Sequence, residues 1–280
     1  YGFLPPMESK HPKPVSEPPL WIPHFVNQSG ASQITNLDER FGKLAGELLH
    51  IGFNRPELFQ VFRDGKNGAV TSLLNQGLTT GTLKGAVNPL DGQLYLTGFR
   101  IWGTIANDVT GFYRVRNTGE GNLASPVEVR SSEEGVLLRF DFPVEPSISS
   151  SLTSYTVDRW NYKRTEGYGS GHYKLDGSPG QESLGVSSVY LSEDRSAVFI
   201  GIPDMKPCHS MRVTYRQPQM AEVPEVRSVY LTIKEMHDLD LGAAGFGEIT
   251  VDLTPPKAVA AMKVDPTIEL GQQLYVTAGC

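Results

Sequence analysis

Helical patterns, cysteines and long apolar runs are all scarce in this sequence, and each shortage excludes a class of protein. No stretch approaches the roughly eighteen apolar residues that span a bilayer, so no membrane-spanning segment is predicted. The two cysteines, Cys208 and Cys280, are too few for a disulfide scaffold. Neither they nor the six histidines form a Cys-x-x-Cys or His-x-x-x-His pattern, so no zinc site is indicated.

Basic residues are also in the minority. The chain has 25 Lys and Arg against 31 Asp and Glu, a net charge of -6, which argues against a nucleic-acid partner. No signal peptide is predicted in the sequence given, because Tyr1 opens directly onto proline-rich sequence. A mature exported chain has lost its signal, so this observation does not favour the cytoplasm.

Glycine and proline, in contrast, are plentiful and spread along the whole chain, at 29 and 20 residues. Between them lie short runs rich in β-branched and aromatic residues, which is typical of sandwiches, barrels and propellers. The segment 36–49 has some helical spacing, but two glycines interrupt it, and we expect a loop that runs into a strand. The sequence therefore predicts an all-β fold.

Two turn signals organise the first part of the chain. Asp64-Gly65 and Asp91-Gly92 each separate two β-rich runs, as in a tight hairpin. A repeated hairpin unit of this kind is typical of a four-stranded propeller blade. We therefore predict that residues 1–118 form two or three blades of a partial β-propeller. A ring needs four or more blades, so the remaining ones would come from the same polypeptide or another chain.

A second β series follows a Gly- and Ser-rich linker at 119–126. It begins with an expected hairpin about Glu133-Glu134-Gly135 and continues through about seven short strands, as in an immunoglobulin- or fibronectin-like sandwich. A last strand is expected at 247–254. We therefore assign residues 119–255 to an Ig-like β-sandwich. Residues 256–280 would be a linker and the beginning of a short helix.

Three stretches resemble large exported bacterial proteins that fuse a propeller, a β-sandwich and a c-type cytochrome. They are PPLWIPHFVNQSGASQI (18–34), GAVNPLDGQLYLTGFRIWG (85–103) and YTVDRWNYKRTEGYGSGHY (155–173), the last followed by VSSVYLSEDRSAVFIGIPDMKP (186–207). The propellers of these proteins resemble the glucose/sorbosone dehydrogenase group. This resemblance implies an exported, periplasmic or extracellular location.

The segment LGQQLYVTAGC (270–280) is similar to the opening helix of a class I cytochrome c domain. Haem attachment needs two cysteines and an adjacent histidine. The resemblance implies that Cys280 is the first haem-thioether cysteine, with the rest of the motif, and haem c itself, in an adjacent domain. An incidental cysteine is the alternative. Quinone and calcium are further cofactors that the resemblance allows but that no motif in this sequence supports.

The residues of a candidate pocket are His24, Arg100 and Trp102. His24 follows Trp21 at the expected entrance to a blade and could face a propeller channel, although packing or surface exposure is favoured. A guanidinium beside an indole, as in Arg100 and Trp102, is a common platform for sugars or for a flat anionic cofactor. The same pair could simply cover a blade edge.

Other chemical patterns are weaker. In Met-Lys-Pro-Cys-His (205–209) a methionine stands where a haem motif needs its first cysteine, so we favour a structural turn between strands. Asn107 with Asp108, and the acidic group Asp238, Asp240 and Glu248, could offer oxygen ligands to calcium, but solvated loops are favoured.

The expected function is that of a scaffold and pocket wall in a redox protein. The resemblance implies that the parent protein oxidises a sugar or alcohol and passes electrons to haem c. The competing hypothesis is a non-catalytic extracellular protein that binds glycans or other proteins. A third is a structural role, in which another chain completes the propeller.

Overall fold

The structure is a computed structural model that describes residues 16–35, 37–74, 76–101, 103–119, 125–164, 169–216, 218–219 and 225–256. It confirms the all-β prediction, with short helical segments at Glu39–Leu44, Pro146–Ser149 (α1), Leu152–Ser154 and Gly242–Phe246. The strands of the first half are β1 (Gly30–Ile34), β2 (Leu48–Gly52), β3 (Glu57–Asp64), β4 (Asn67–Leu74), β5 (Thr82–Val87), β6 (Leu94–Phe99) and β7 (Thr110–Val115). Those of the second half are β8 (Glu128–Ser131), β9 (Gly135–Arg139), β10 (Tyr155–Trp160), β11 (Glu182–Leu184), β12 (Ser188–Leu191), β13 (Ala197–Gly201), β14 (Cys208–Arg216) and β15 (Val226–Ile233).

The hairpins predicted from turn residues are present. Strands β3 and β4 pair across Asp64-Gly65, β5 and β6 pair across the turn that contains Asp91-Gly92, and β8 pairs with β9. Gly65 and Gly92 have φ values of 62° and 68°, the left-handed region that only glycine adopts readily. Local turn chemistry therefore determined these pairings.

The strand predicted at 247–254 is wrong. This segment has no strand pairing; side-chain hydroxyls of β12 and its flank hold it instead. Ser187 and Ser188 donate hydrogen bonds to the carbonyl of Asp252, at 2.7 and 2.8 Å, and Tyr190 donates to that of Thr250. Two short edge strands, β1 and β11, were not predicted.

One eight-stranded antiparallel sheet runs through the molecule in the order β1-β2-β3-β4-β15-β14-β10-β11. Its two halves join where β4 pairs with β15, with Ala69 opposite Leu231. Strands from residues 30–74 and from residues 155–233 therefore belong to one hydrogen-bonded layer. The division predicted near residue 118 does not coincide with a break in this sheet.

Two smaller sheets cover one face of the large sheet, which we call the front face. The three-stranded sheet β5-β6-β7 encloses a core with β1, β2 and β3, and the four-stranded sheet β12-β13-β9-β8 encloses another with β10, β14 and β15. Leu58 belongs to the first core and Phe62 to the second. Because side chains two residues apart on a strand point the same way, both cores lie on the same face.

The opposite, back face is crossed by residues 16–29, which we call the N-terminal strap. The backbone N–H of Trp21 donates to Oγ1 of Thr232 on β15 at 2.8 Å. Farther along, Asn27 contacts His50 on β2, with 2.6 Å between Nδ2 and Nε2. Thr232 and His50 alternate with core residues along their strands, so both point to the back face.

None of the helices in the described ranges has the length and apolar character needed to cross a membrane. The helical start predicted within 256–280 lies outside the described residues. The sheets confirm a β-rich chain, whereas the propeller and Ig-like assignments stay predictions.

Candidate functional site

The three-stranded sheet has two chemically different sides. Leu94 and Leu96 of β6 are fully buried against the front face of the large sheet, where they contact the core around Ile51. The residues that alternate with them, Tyr95 and Thr97, point away from that core. We call this solvent side of β5-β6-β7 the outer face.

Strand register determines which side chains are neighbours on the outer face. Thr97 lies between Lys84 on β5 and Phe112 on β7. Tyr95, two residues earlier on β6, lies opposite Arg114. The outer face therefore combines two aromatic rings, a hydroxyl and two cations on one small sheet.

Tyr95 and Phe112 form a stacked pair at the centre of the outer face. Their ring centroids are 5.6 Å apart and the ring planes differ by 26°. The Tyr95 hydroxyl donates to Oδ2 of Asp91 at 2.8 Å, which fixes the ring. Asp91 also accepts from the backbone N–H of Gln93, and these hydrogen bonds hold the pKa of its carboxyl below the usual range. Phe112 is 71% exposed although its ring is large and apolar.

A shallow depression adjoins this pair at the end of the sheet. Gly98 and Gly111, paired across β6 and β7, contribute backbone to its floor. A side chain at Gly98 would collide with the carbonyl oxygen of Gly81, so this close approach requires glycine. The side chains that line the depression are Thr97, Phe99, Arg100, Val109, Thr110 and Phe112.

Arg100, predicted as a pocket residue, lies in this depression. Its backbone N–H donates to the carbonyl of Val109 at 2.8 Å, and its Nη1 donates to that of Asn107 at 3.1 Å. The loop that follows is anchored to Asn54, whose side chain bonds Gly103 and whose carbonyl accepts from Ile105. The guanidinium is exposed, and its hydrogen bond to the Asn107 carbonyl ties it to the loop that follows β6.

Exposed apolar side chains are concentrated around this site. Of the eight large hydrophobic side chains that are exposed within the described ranges, six lie between residues 90 and 112: Leu90, Phe99, Ile101, Ile105, Val109 and Phe112. The other two, Leu152 and Val226, are separate from this group in the sequence. Exposed large apolar side chains that are grouped in one segment make that segment a candidate interaction surface.

His24 lies elsewhere. It belongs to the N-terminal strap on the back face, whereas Arg100 belongs to the sheet that covers the front face. His24 is half-buried, and desolvation lowers the pKa of its imidazole. The structure therefore places these two predicted pocket residues in different layers. The third, Trp102, lies outside the described residues.

The strap forms a buried aromatic group with the back face, which we call the strap cluster: Trp21, Phe25, Trp160, Tyr162, His172 and His209. Trp160 and Tyr162 are two residues apart, share one face of the β10 segment and are both buried. Trp21 stacks on His209 with 5.2 Å between ring centroids, and Trp160 stacks on His172 at 4.7 Å. These contacts fasten the strap to the sheet.

Burial keeps the histidines of the strap cluster neutral. It lowers the pKa of His172 to about 4, assisted by the nearby Arg212 guanidinium, and lowers that of His209 as well. Nδ1 of His172 is 2.7 Å from the Gln181 amide nitrogen, and Nδ1 of His209 accepts from the backbone N–H of Tyr162 at 2.9 Å. These imidazoles act as packed aromatic rings rather than as exposed bases.

Cys208 and His209 begin strand β14 and do not form the predicted turn between strands. Cys208 is buried, and desolvation raises the pKa of its thiol to about 12, which makes the thiol unreactive. Nearby, the buried Arg159 pairs with Glu182 at 2.6 Å and with Asp204. Cys208 therefore packs within a strand, in place of the turn that the sequence predicted.

The cofactor predictions are untested. Cys280 lies outside the described residues, so its role in haem attachment stays a prediction, as do quinone and calcium. Within the described ranges no group of three or more His, Cys, Asp or Glu side chains is placed to hold a metal ion. Asp240, from the acidic group considered for calcium, accepts a hydrogen bond from the backbone N–H of Ala243.

The sequence identified Arg100 but missed Phe112, which lines the same depression, and Lys84 on the outer face. A signal existed in β7, where Phe112 alternates with Tyr113 and shares its side of the strand with Arg114. An aromatic residue on the charged side of a strand is unusual for a purely structural element. Comparison of the chain with protein-family models, curated proteins and solved structures finds no match, so the case for function depends on this geometry.

Proposed function

We propose that this chain is a non-catalytic, glycan-binding β-module and that the outer face is its binding surface. The observation that carries the proposal is the stacked pair of Tyr95 and the exposed Phe112 beside a depression lined by threonines and Arg100. An exposed aromatic pair on a folded sheet has no packing role on its solvent side. It offers a rigid apolar surface of the kind that ligand sites use.

The chemistry of the outer face fits a sugar ring. One face of a pyranose presents C–H groups that can pack on Phe112, while its hydroxyls need donors and acceptors nearby. Thr97 and Thr110 supply hydroxyls next to that ring, and Arg100 supplies N–H donors. In ligand sites, a few polar groups at fixed positions around an apolar surface determine how the ligand is oriented.

The side chains that line the depression favour binding over catalysis. Among them only Arg100 carries an ionisable group, and an arginine side chain does not exchange protons near neutral pH. Thr97 and Thr110 have no histidine among the lining residues to activate their hydroxyls. This lining therefore supports recognition rather than acid–base or nucleophilic chemistry.

We further propose that the second half is the Ig-like sandwich expected from the sequence. Its support is the packing of β12-β13-β9-β8 against β15-β14-β10-β11 around a single core that includes Val136, Val198 and Met211. The partial propeller remains a separate hypothesis for the first half. The glycan proposal depends on neither assignment.

A glycan array probed with the full chain tests the proposal, followed by calorimetry on the glycans that bind. Phe112→Ala should weaken binding about tenfold or more, because an aromatic anchor typically contributes over 1 kcal/mol. Leu152→Ala is the matched control, since Leu152 is also an exposed apolar residue, at 44%, but lies far from the outer face in the sequence. It should leave the affinity unchanged.

Two results would contradict the proposal. One is a negative result on the array: either no glycan binds the chain, or the glycans that bind it bind the Phe112→Ala variant equally well. The other is turnover of a reducing sugar with an artificial electron acceptor by the chain in its full-length protein, which would favour the redox hypothesis instead.

A further inference from the structure

The segment that carries the outer face is basic within an acidic chain. Residues 76–119 hold four cations, Lys84, Arg100, Arg114 and Arg116, against the two acidic residues Asp91 and Asp108. The whole chain has a net charge of -6. Positive charge is thus concentrated on the part of the molecule that also exposes the aromatic pair.

Three of these four cations, Lys84, Arg100 and Arg114, surround the aromatic pair. Lys84 on β5 and Phe112 on β7 both lie opposite Thr97 of β6. The backbones of Lys84 and Phe112 are therefore two strand spacings apart, or about 10 Å. Arg114 lies opposite Tyr95, at one end of the aromatic pair. Arg100 lies at the other end. It is five residues after Tyr95 in the sequence, which separates the two backbone positions by about 17 Å along an extended strand. A single small ligand could not reach both arginines, whereas an extended chain of several sugars could.

Two of these charges are not used by the fold, whereas the Arg100 guanidinium donates a hydrogen bond to the carbonyl of Asn107. Lys84 and Arg114 form no ion pair with any residue that the structure describes. Two acidic residues lie four positions from the pair in the sequence: Asp91 before Tyr95 and Asp108 before Phe112. Asp91 is bonded by the Tyr95 hydroxyl and lies near Arg40. Exposed cations without internal partners remain available to a ligand of opposite charge.

We infer that the glycan bound by the outer face is an acidic oligosaccharide, whose sugar rings pack on Phe112 and Tyr95 and whose carboxylates pair with Arg100, Arg114 and Lys84. This inference rests on the proposed glycan-binding function and specifies its ligand. Guanidinium groups bind carboxylates through two parallel hydrogen bonds, which makes the two arginines suited to uronic acids.

Charge density favours an acidic glycan over a nucleic acid. A nucleic acid carries a phosphate on every nucleotide and is bound through many cations, whereas the outer face offers three. The remainder of this chain is strongly acidic and would repel such a polyanion. A short acidic oligosaccharide, with one carboxylate for each cation, matches the three cations spread over this sheet.

The test uses the full chain and two probes that differ only in charge: an oligogalacturonate and the same oligosaccharide with its carboxyls reduced to alcohols. We expect the acidic form to bind at least tenfold more tightly at low ionic strength. The ratio should shrink as salt is added, because exposed charges are screened. A single-stranded oligonucleotide of similar length is the third probe.

Variants separate the contribution of charge from that of stacking. Arg114→Gln should reduce the ratio of acidic to neutral affinity severalfold, whereas Phe112→Ala should weaken binding of both oligosaccharides. The control is Arg63→Gln, because Arg63 is exposed on β3 and its position in the strand puts it on the back face. It should leave the ratio unchanged, and circular dichroism should show all three variants folded.

Equal affinity for the acidic and neutral forms would overturn the inference and leave the proposed function intact. An unchanged ratio in Arg114→Gln would also overturn it. Binding of neither oligosaccharide, and of no other glycan, would overturn the proposed function as well. Tighter binding of the oligonucleotide than of the oligogalacturonate would replace the acidic glycan with a nucleic acid.

Discussion

The molecule carries two groups of aromatic side chains that differ in what covers them. The strap cluster is enclosed between the N-terminal strap and the back face of the large sheet, where Trp160 is 0% exposed. The outer face carries Tyr95 and Phe112 on a three-stranded sheet, with no described segment packed over them. The same kind of side chain therefore stabilises the fold in one place and is available to a ligand in the other.

Histidine and arginine follow the same division. Histidines lie among the aromatic rings of the strap cluster, where burial lowers the pKa of His172 and His209 and keeps both rings neutral. The outer face instead carries lysine and arginine, which stay charged and exposed. A charged group that is buried needs a charged partner, as Arg159 has in Glu182, whereas an imidazole can be buried as a neutral ring.

The largest expected effect is on the strap cluster. Trp160→Ala should lower the free energy of unfolding by about 3–5 kcal/mol, because it removes a fully buried indole and leaves a cavity between His172 and Phe25. Chemical denaturation measures this loss. Trp160→Phe, which retains a ring, should cost less. A loss below about 1 kcal/mol for Trp160→Ala would show that the strap cluster does not stabilise the fold.

Acidification should destabilise the chain through the same cluster. The pKa of His172 is about 4 in the folded state against about 6.5 when unfolded, so the unfolded state binds more protons between these values. Lowering the pH from 7.5 to 5 should therefore cost about 2 kcal/mol through His172 alone. Glu57, whose pKa is raised by burial, contributes in the opposite direction.

Denaturation curves at several pH values measure this effect. His172→Phe should flatten the dependence of stability on pH between 7.5 and 5, because it keeps a ring against Trp160 but removes the titrating group. A wild-type stability that is constant over this range would contradict the prediction.

A smaller effect is expected where the strap meets β1. A Cβ atom at Gly30 would lie 2.7 Å from Cε1 of His50, whose ring nitrogens contact Asn27 at 2.6 Å and Gln33 at 3.3 Å. Because the ring is held on both sides, Gly30→Ala should cost about 1–3 kcal/mol. In a His50→Ala background the same substitution should cost much less, and a double-mutant cycle measures the difference.

The smallest effect on stability is expected on the outer face. Phe112→Ala should change the free energy of unfolding by less than about 0.5 kcal/mol, because the ring is mostly exposed and its loss leaves no buried cavity. Thermal or chemical denaturation measures it. A loss comparable to that of Trp160→Ala would show that Phe112 is a packing residue and would remove the contrast between the two aromatic groups.

Much of the local structure could be predicted from the sequence. Hairpins at Asp64-Gly65 and Asp91-Gly92 follow from turn residues that favour one backbone geometry. The burial of Trp160 and Tyr162 on one side follows from alternation along a strand. The strand expected at 247–254 was wrong, because side-chain hydroxyls of β12 and its flank, rather than a neighbouring strand, bond the carbonyls of this segment.

The candidate site was predicted only in part. Arg100 was identified from its residue type and its position after a strand, and it does lie in a depression. The sequence also placed His24 in the same pocket as Arg100. Residue patterns within a segment do not state which layer of the fold that segment joins, so they could not show that the two residues lie in different layers. Phe112 alternates with Tyr113 along β7, but its exposure depends on what packs over that strand, which no local pattern states.

The sequence by itself determined that this chain is built of short antiparallel strands, because alternation and turn residues act over only a few neighbouring positions. Only the tertiary structure decided that β4 pairs with β15 and joins the two halves in one sheet. It also decided that the strap covers one set of aromatic rings while Phe112 and Tyr95 stay uncovered. Apolar side chains create the need for burial but do not specify the partner, so contacts between distant segments determined which rings became core and which became surface.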